Sequence, residues 1–418
     1  MRIGGLVDTR PLRDSAAFRG LWVSTTSSTF GGQLLVVGVL AQVWQLSGSS
    51  VAVGAIGLAN AVPTVVFGMI GGALADGLDR RRLVVLSTVG QLLSAALLAW
   101  HAFAGIRSLP TVLILVAVHA AFLGLSAPVR RTFVATLLPP RLVGAGIALT
   151  HLSSQAAMLA GPAAAGVITA RWGAGACYAL DVLALAIALY GVWRLPAAAR
   201  PGGEPTRPGP RAIWEGWRFI GRSPALAGSF LTDVFATVLA MPVALFPAIN
   251  AERFGGNPDT LGLFLSAIAV GGIAAGTASG LVTRSRGAGL IQLLAAGVWG
   301  VGIIGFGLAQ PLWLALGCLA VSGAADTFGV IARGALVQAA TPDSHRGRVS
   351  AAELALGISG PDLGNFRSGV VAGATSPAFA AVCGGLMCVA GVVGLGLLNR
   401  PLRRFRLPGS PDSTRSPA

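Results

Sequence analysis

The fold class this chain predicts is an all-α membrane protein with about twelve transmembrane helices in two six-helix halves, and three observations carry it. The first is composition: of 418 residues, 54% are hydrophobic and only 11% charged. With a mean hydropathy of +0.74, that is too apolar and too charge-poor for a soluble enzyme of this size. The second is recurrence, because apolar runs of about 20 residues, the length that crosses a bilayer, return about twelve times. The third is internal repetition. Gly68, Gly72, Arg80 and Arg82 recur 204 residues later as Gly272, Gly276, Arg284 and Arg286, and Arg131 and Pro140 recur 202 residues later as Arg333 and Pro342.

Taken in order, residues 1–20 carry Arg2, Asp8, Arg10, Arg13, Asp14 and Arg19 with no apolar core. They read as a cytoplasmic segment rather than a cleaved signal peptide, and the first span serves as the insertion signal. The N-terminal half, 21–195, holds spans Leu21–Leu46, Val51–Leu74, Leu83–Ala104, Thr111–Pro128, Leu142–Ala170 and Ala176–Leu195. Residues 196–223 form the longest polar interval. Its first part is rich in Pro and Gly and reads as a tether. Its second part sets Ile213, Trp214, Trp217 and Ile220 near one helical face, the pattern of a helix lying in the cytoplasmic interface. The C-terminal half, 224–399, holds Leu226–Ile249, Leu261–Val282, Leu290–Leu308, Leu312–Ile331, Val349–Ala372 and Ala378–Leu398, and 400–418 is a basic cytoplasmic tail.

Charge orients these spans. With both termini cytoplasmic, arginines crowd the inner loops and only Arg107, Arg171 and Arg253 fall in outer ones, the asymmetry of the positive-inside rule. The net charge of +15 is thereby explained by topology, and no nucleic-acid partner is needed. Every basic residue other than histidine is arginine. Without lysine there is no Walker A phosphate loop and no Schiff base. No His-Glu-x-x-His or Gly-x-Ser-x-Gly motif occurs either. The chain reads as a non-enzyme with no cofactor and no metal, and its four cysteines as small core residues.

The stretch Gly68-Met-Ile-Gly-Gly72-Ala-Leu-Ala-Asp76-Gly-Leu-Asp79-Arg80-Arg81-Arg82 is a charged turn between two apolar spans. Small residues four apart permit close helix approach, and Asp76 is placed to pair with the arginines or to cap the next helix. This turn resembles the Gly-x-x-x-Asp-Arg-x-Gly-Arg-Arg loop of the major facilitator superfamily, with Gly72, Asp76, Arg80 and Arg81 or Arg82 filling its places. Gly77 and Asp79 depart from the pattern. Three further stretches, Gly48–Gly54, Glu215–Pro224 and Thr341–Arg348, are similar to the branch of that superfamily that includes the enterobactin exporter and antibiotic-efflux proteins. The resemblance implies the major facilitator fold, a substrate path between pseudo-symmetric halves, and proton-driven export. It also implies that Gly72, Asp76, Arg80, Arg81 and Arg82 act as a conformational latch. Gly161-Pro162-Ala-Ala-Ala-Gly166 is similar to the antiporter signature of the fifth span, which implies a hinge at Gly161, Pro162 and Gly166. In the second copy Gly280 stands in place of Asp76, so the Gly272, Gly276, Gly280 ladder is expected to serve close packing alone.

A charge in hydrocarbon costs a few kcal/mol at least, so acids inside spans are the functional candidates. Asp233, roughly 12 Å into the seventh span at helical rise, is the first choice for a proton site, the alternative being a structural acid. Asp326 stands two turns before Arg333 on one face, as a relay or as a helix-end pair. Glu353 and Asp362 are further proton-site candidates, the alternatives being that Glu353 is simply paired with Arg346 or Arg348 at the cytoplasmic mouth and that Asp362 and Arg367 neutralise each other. Arg131, Arg333 and Arg367 are the candidate charge partners. Asp181 is expected to be structural, near the outer interface. His119 and His151 titrate near physiological pH when unperturbed, although a lone histidine on an apolar helix is more often core. Few fixed charges favour an uncharged or amphiphilic small-molecule cargo. The expected partners are therefore that cargo, protons and the lipid bilayer, in a bacterial cytoplasmic membrane, for a monomeric chain. An importer of the same fold, a membrane-embedded enzyme and a non-transporting sensor are the rival readings.

Overall fold

A computed structural model of the chain describes residues 8–77, 79–195, 210–280, 285 and 287–407, excluding the side chains of 73, 75–77, 131, 132, 134, 135, 210–213, 343 and 344. The long linker's tether, 196–209, the repeat arginines Arg284 and Arg286 and the end of the tail lie outside the described residues. No strand occurs among those that are described.

A short α1 (Arg10–Asp14) precedes α2 (Ala16–Ser47). Ser15 starts α2 by accepting the Phe18 N–H, and Gly48 ends it at φ 58°, the left-handed conformation that glycine adopts at low cost. Then follow α3 (Ser50–Gly77), α4 (Arg80–Phe103), α5 (Leu109–Leu137), α6 (Pro140–Trp172) and α7 (Ala174–Trp193). Beyond the linker come α8 (Pro210–Arg222) and α9 (Pro224–Val234), a π-helical turn (Phe235–Leu239), a 3₁₀ turn (Val243–Leu245) and α10 (Phe246–Arg253). The chain continues through α11 (Pro258–Thr277), α12 (Ala288–Leu308), α13 (Leu312–Ala340), α14 (Asp343–Ala374), α15 (Pro377–Leu398) and α16 (Arg400–Arg403).

Among the described residues, eleven helical stretches are long and apolar enough to cross a membrane. The missing member of the expected twelve is α14. At 32 residues it is long enough, but Glu353, Asp362, Asn365 and Arg367 make it too polar to count by composition.

The chain forms two compact units. One comprises Met1–Gly48, Leu58–Arg207 and Gly256–Ser266, the other Ser49–Gly57, Pro208–Gly255 and Ala267–Ala418. In the first unit α2 packs on α7 and α6, and α4 on α5 and α7, around apolar clusters that include Phe18, Leu83, Phe133 and Leu142. In the second, α12 packs on α13 and α15, and α8 on α14.

The first members of the expected ladders do face a neighbouring helix, a Cβ at Gly68 coming within 3.7 Å of the Gly124 carbonyl and one at Gly272 within 3.7 Å of the Gly323 carbonyl, but the tightest backbone approach falls on the glycines beside them. A Cβ at Gly71 would overlap the Leu125 carbonyl, and one at Gly124 the Thr64 carbonyl. In the second unit Gly271 meets the Ala320 carbonyl and Gly323 the Ile268 carbonyl in the same way, whereas Gly276 and Gly280 face open space. A spacing of four puts glycines on one face of a helix, but it does not say which face the neighbour covers.

On the apolar face of α8 Trp214 is exposed, Ile220 is buried and Trp217 packs edge-on against Phe230 with ring centroids 5.6 Å apart. Glu215 pairs with Arg348 at 3.1 Å, and Phe219 stacks on His345 at 4.4 Å. The helix is docked on the start of α14.

Candidate functional site: an arginine-centred acid cluster

The second unit brings together three of the predicted acids. Asp233, in the last turn of α9, forms an ion pair with Arg333 of α13, and Glu353 of α14 approaches the Arg333 Nε at 3.6 Å. The Asp233 and Arg333 side chains are only 13% and 12% exposed, and Glu353 is 30% exposed. Glu353 therefore turns to Arg333 rather than to Arg348, which Glu215 has taken. Asp326 does not form the expected ion pair with Arg333, but it lies within electrostatic reach of both Arg333 and Asp233. A cavity of ≈ 30 Å³ is lined by Asp233, Asp326 and Arg333 together with Gln292 and Trp299, room for about one water. Its wall is fixed by a two-way bond in which Ser229 Oγ donates to Gln292 Oε1 and Gln292 Nε2 donates to the Ser229 carbonyl, each at 2.8 Å.

Immediately beyond Asp233 the seventh span breaks. Pro242 has no N–H and its ring clashes with the carbonyl four residues back, so the helix loosens into the π turn and restarts as 3₁₀ after it. α14 supplies the freed backbone groups with partners. Arg367 donates to the Leu239 carbonyl, Ser368 Oγ to the Met241 carbonyl at 2.8 Å, and Asn365 Oδ1 accepts from the Ala244 N–H at 3.1 Å. Arg367 is thus a backbone clamp, and no ion pair with Asp362 is seen among the described residues. The Asp362 carbonyl packs closely on Gly57 of α3.

The other predicted residues serve elsewhere. The Asp76 and Arg131 side chains lie outside the described residues, and Gly72 sits in the last turns of α3. Asp79 caps α4, accepting the Arg81 N–H at 2.9 Å. Arg80 opens that helix, Arg81 donates to the Trp193 carbonyl, and Arg82 reaches Asp79 only at 4.0 Å. Around the Gly161–Gly166 stretch α6 stays helical, and the stretch forms a packing seam. Gly161 lies against Gln33, Gly166 against Asp259, and Gly262 against the Pro162 carbonyl, while Ser266 Oγ donates to the Leu159 carbonyl at 2.9 Å. His119 is buried and bonded to Ser94 at 3.1 Å, and His151 is exposed. Sequence reasoning missed Arg130, which donates to Thr88 at 2.8 Å while its buried Nε has no partner among the described residues. Its signal was a cation at the end of a span, which had been counted only toward topology. No group of three or more metal-ligating side chains occurs among the described residues.

A family model described as transmembrane secretion effector matches residues 8–407. The chain is 28% identical over 414 residues to the enterobactin exporter EntS of Citrobacter koseri, covering 96% of each chain. It is 27% identical over 411 residues to that of Escherichia coli O157:H7, again covering 96% of each. Its fold is similar to that of the nucleoside transporter NupG (TM-score 0.71, 13% identity, 91% and 98% of the two chains). A D-xylose–proton symporter is similar at TM-score 0.66, with 17% identity over 90% and 96% of the two chains.

Proposed function

The chain belongs to the transmembrane secretion effector family of the major facilitator superfamily, and from that premise we propose that it exports a small amphiphilic molecule in exchange for protons, which bind at the carboxyl groups around Arg333. It is a multi-pass secondary transporter; the cargo, its direction and the coupling ion are the proposal. The observation that carries the reading is a ratio. Asp233 and Glu353 share one guanidinium with Asp326 in electrostatic reach of it, and an uncompensated charge inside a membrane protein is costly. Carboxyl groups in excess of their cation take up protons, and they titrate as a coupled set rather than one by one. A change in the surroundings of Arg333 then changes how many protons the set holds, which is what coupling requires.

Outward transport is supported by the full-length similarity to proteins named as exporters. Inward transport through the same cluster is the second reading, because a proton symporter shares the fold. In either reading α14 is the twelfth span. Its polar residues turn toward Arg333 and the broken helix, so it can cross lipid with its polar face covered. Both termini are then cytoplasmic and the chain works as a monomer.

The test is proton movement in proteoliposomes while siderophores, macrolides and lipophilic cations are added to wild type and to Asp233→Asn. Cargo-driven proton release from the lumen that Asp233→Asn abolishes is the expected result. Cargo and protons moving together would select import. Unchanged coupling in Asp233→Asn, with Asp326→Asn and Glu353→Gln also unchanged, would remove the cluster from the mechanism.

A further inference from the structure

The first unit holds an acid that the proposed mechanism does not use. Asp181 lies seven residues into the 20-residue α7, about 10 Å along the axis at 1.5 Å per residue. It is 1% exposed, and its buried Oδ2 meets no hydrogen-bond partner among the described residues. Room for the carboxyl group is made by Gly31 of α2, where a Cβ would overlap Asp181 Oδ1. The helices packed on α7 offer no compensating cation. α2 has Arg19 near its start, α4 has Arg80, Arg81 and Arg82 at its start, and α6 has Arg141 at one end, Arg171 at the other and the exposed His151 between them. None of these forms an ion pair with Asp181 among the described residues.

One turn before Asp181, on the same face of α7, begins a buried polar chain. Tyr178 Oη donates to Gln42 Oε1 at 2.8 Å, and Gln42 Nε2 stands 3.4 Å from His101 Nδ1. His101 is buried two residues before the end of α4, with its Nε2 unpartnered. No bond joins this chain to the Asp181 carboxyl among the described residues, so Asp181 Oδ2 stays orphaned beside a network that satisfies its own members except His101 Nε2.

A carboxylate buried without a cation or donors carries a desolvation penalty of several kcal/mol, which a bound proton removes. We propose that Asp181 is a second proton-binding site, separate from the Arg333 cluster. The proton comes from water and is returned to it when the carboxyl ionises, with no other bond made or broken.

The site can be read without knowing the cargo, so its failure is distinct from failure of the export reading. Infrared difference spectra of the purified, lipid-reconstituted protein across a pH titration should show a protonated-carboxyl band at neutral pH that is absent from Asp181→Asn. Asp181→Asn, an uncharged near-isostere, should keep the wild-type melting temperature at neutral pH. A wild-type spectrum with no band lost in Asp181→Asn, or an Asp181→Asn chain strongly destabilised at neutral pH, would mean that the group is ionised and paired, and would overturn the proposal.

Discussion

The two units share a backbone design and differ in their chemistry. Each holds a pair of glycines that brings two helices to backbone contact, Gly71 with Gly124 in one and Gly271 with Gly323 in the other. Yet the second unit buries an arginine among acids, whereas the ion pairs described in the first, Arg10 with Asp8 and Arg82 with Asp79, are at its surface. The interior of the first unit is served by neutral networks such as Ser94–His119 and Tyr178–Gln42–His101. Packing constraints survive in both copies because small residues at a contact have few substitutes.

The sharpest way to break this comparison is to remove the central cation. Arg333→Leu leaves Asp233 buried beside Glu353 without a partner, and loss of one member of a buried pair costs about 3–5 kcal/mol. We expect a large fall in melting temperature in detergent, restored in part by Arg333→Leu/Asp233→Asn; the double-mutant cycle measures the coupling. If the double variant is as unstable as the single one, Arg333 holds the unit through packing rather than charge.

A smaller effect tests the shared design. Gly71→Ala and Gly271→Ala should each cost about 1–3 kcal/mol, the usual range for overpacking, because the added methyl meets a backbone carbonyl that cannot swing away. Gly276→Ala, facing open space on the same helix as Gly271, should be neutral or stabilising by up to about 1 kcal/mol through helix propensity. Thermal unfolding of the three variants decides this, and a Gly276→Ala loss as large as that of Gly271→Ala would show that the ladder packs after all.

The smallest effect is expected at Arg82→Ala. Its side chain is 89% exposed and its pair with Asp79 is at 4.0 Å, so stability should change by less than about 1 kcal/mol. Any loss of transport in that variant would then report a role other than holding the fold.

The architecture was largely legible in the sequence because crossing a bilayer demands length and apolarity, both local properties. Asp233 was legible for the same reason, as a costly residue deep in an apolar run. Its partner was not, because Arg333 lies 100 residues away and near neighbours offered themselves instead. Nearby Arg346 and Arg348 offered themselves to Glu353, and Arg367 to Asp362, on proximity along one helix. The break after Asp233 was visible only as Pro242 inside a hydrophobic stretch, a residue that membrane helices often tolerate. Asp181 was read as a boundary acid because hydropathy does not show that Gly31 clears a niche for it.

By itself, then, the sequence determined that this is an all-helical membrane protein built from a repeated unit and that the acids inside its apolar spans are few. Those facts follow from transfer free energies summed over short windows. Only the tertiary structure decided which acid meets which cation, which glycine faces a backbone and which buried polar atom has no partner. Each of those depends on helix rotation and on contacts between residues far apart in the chain, and the pattern along a single helix carries neither.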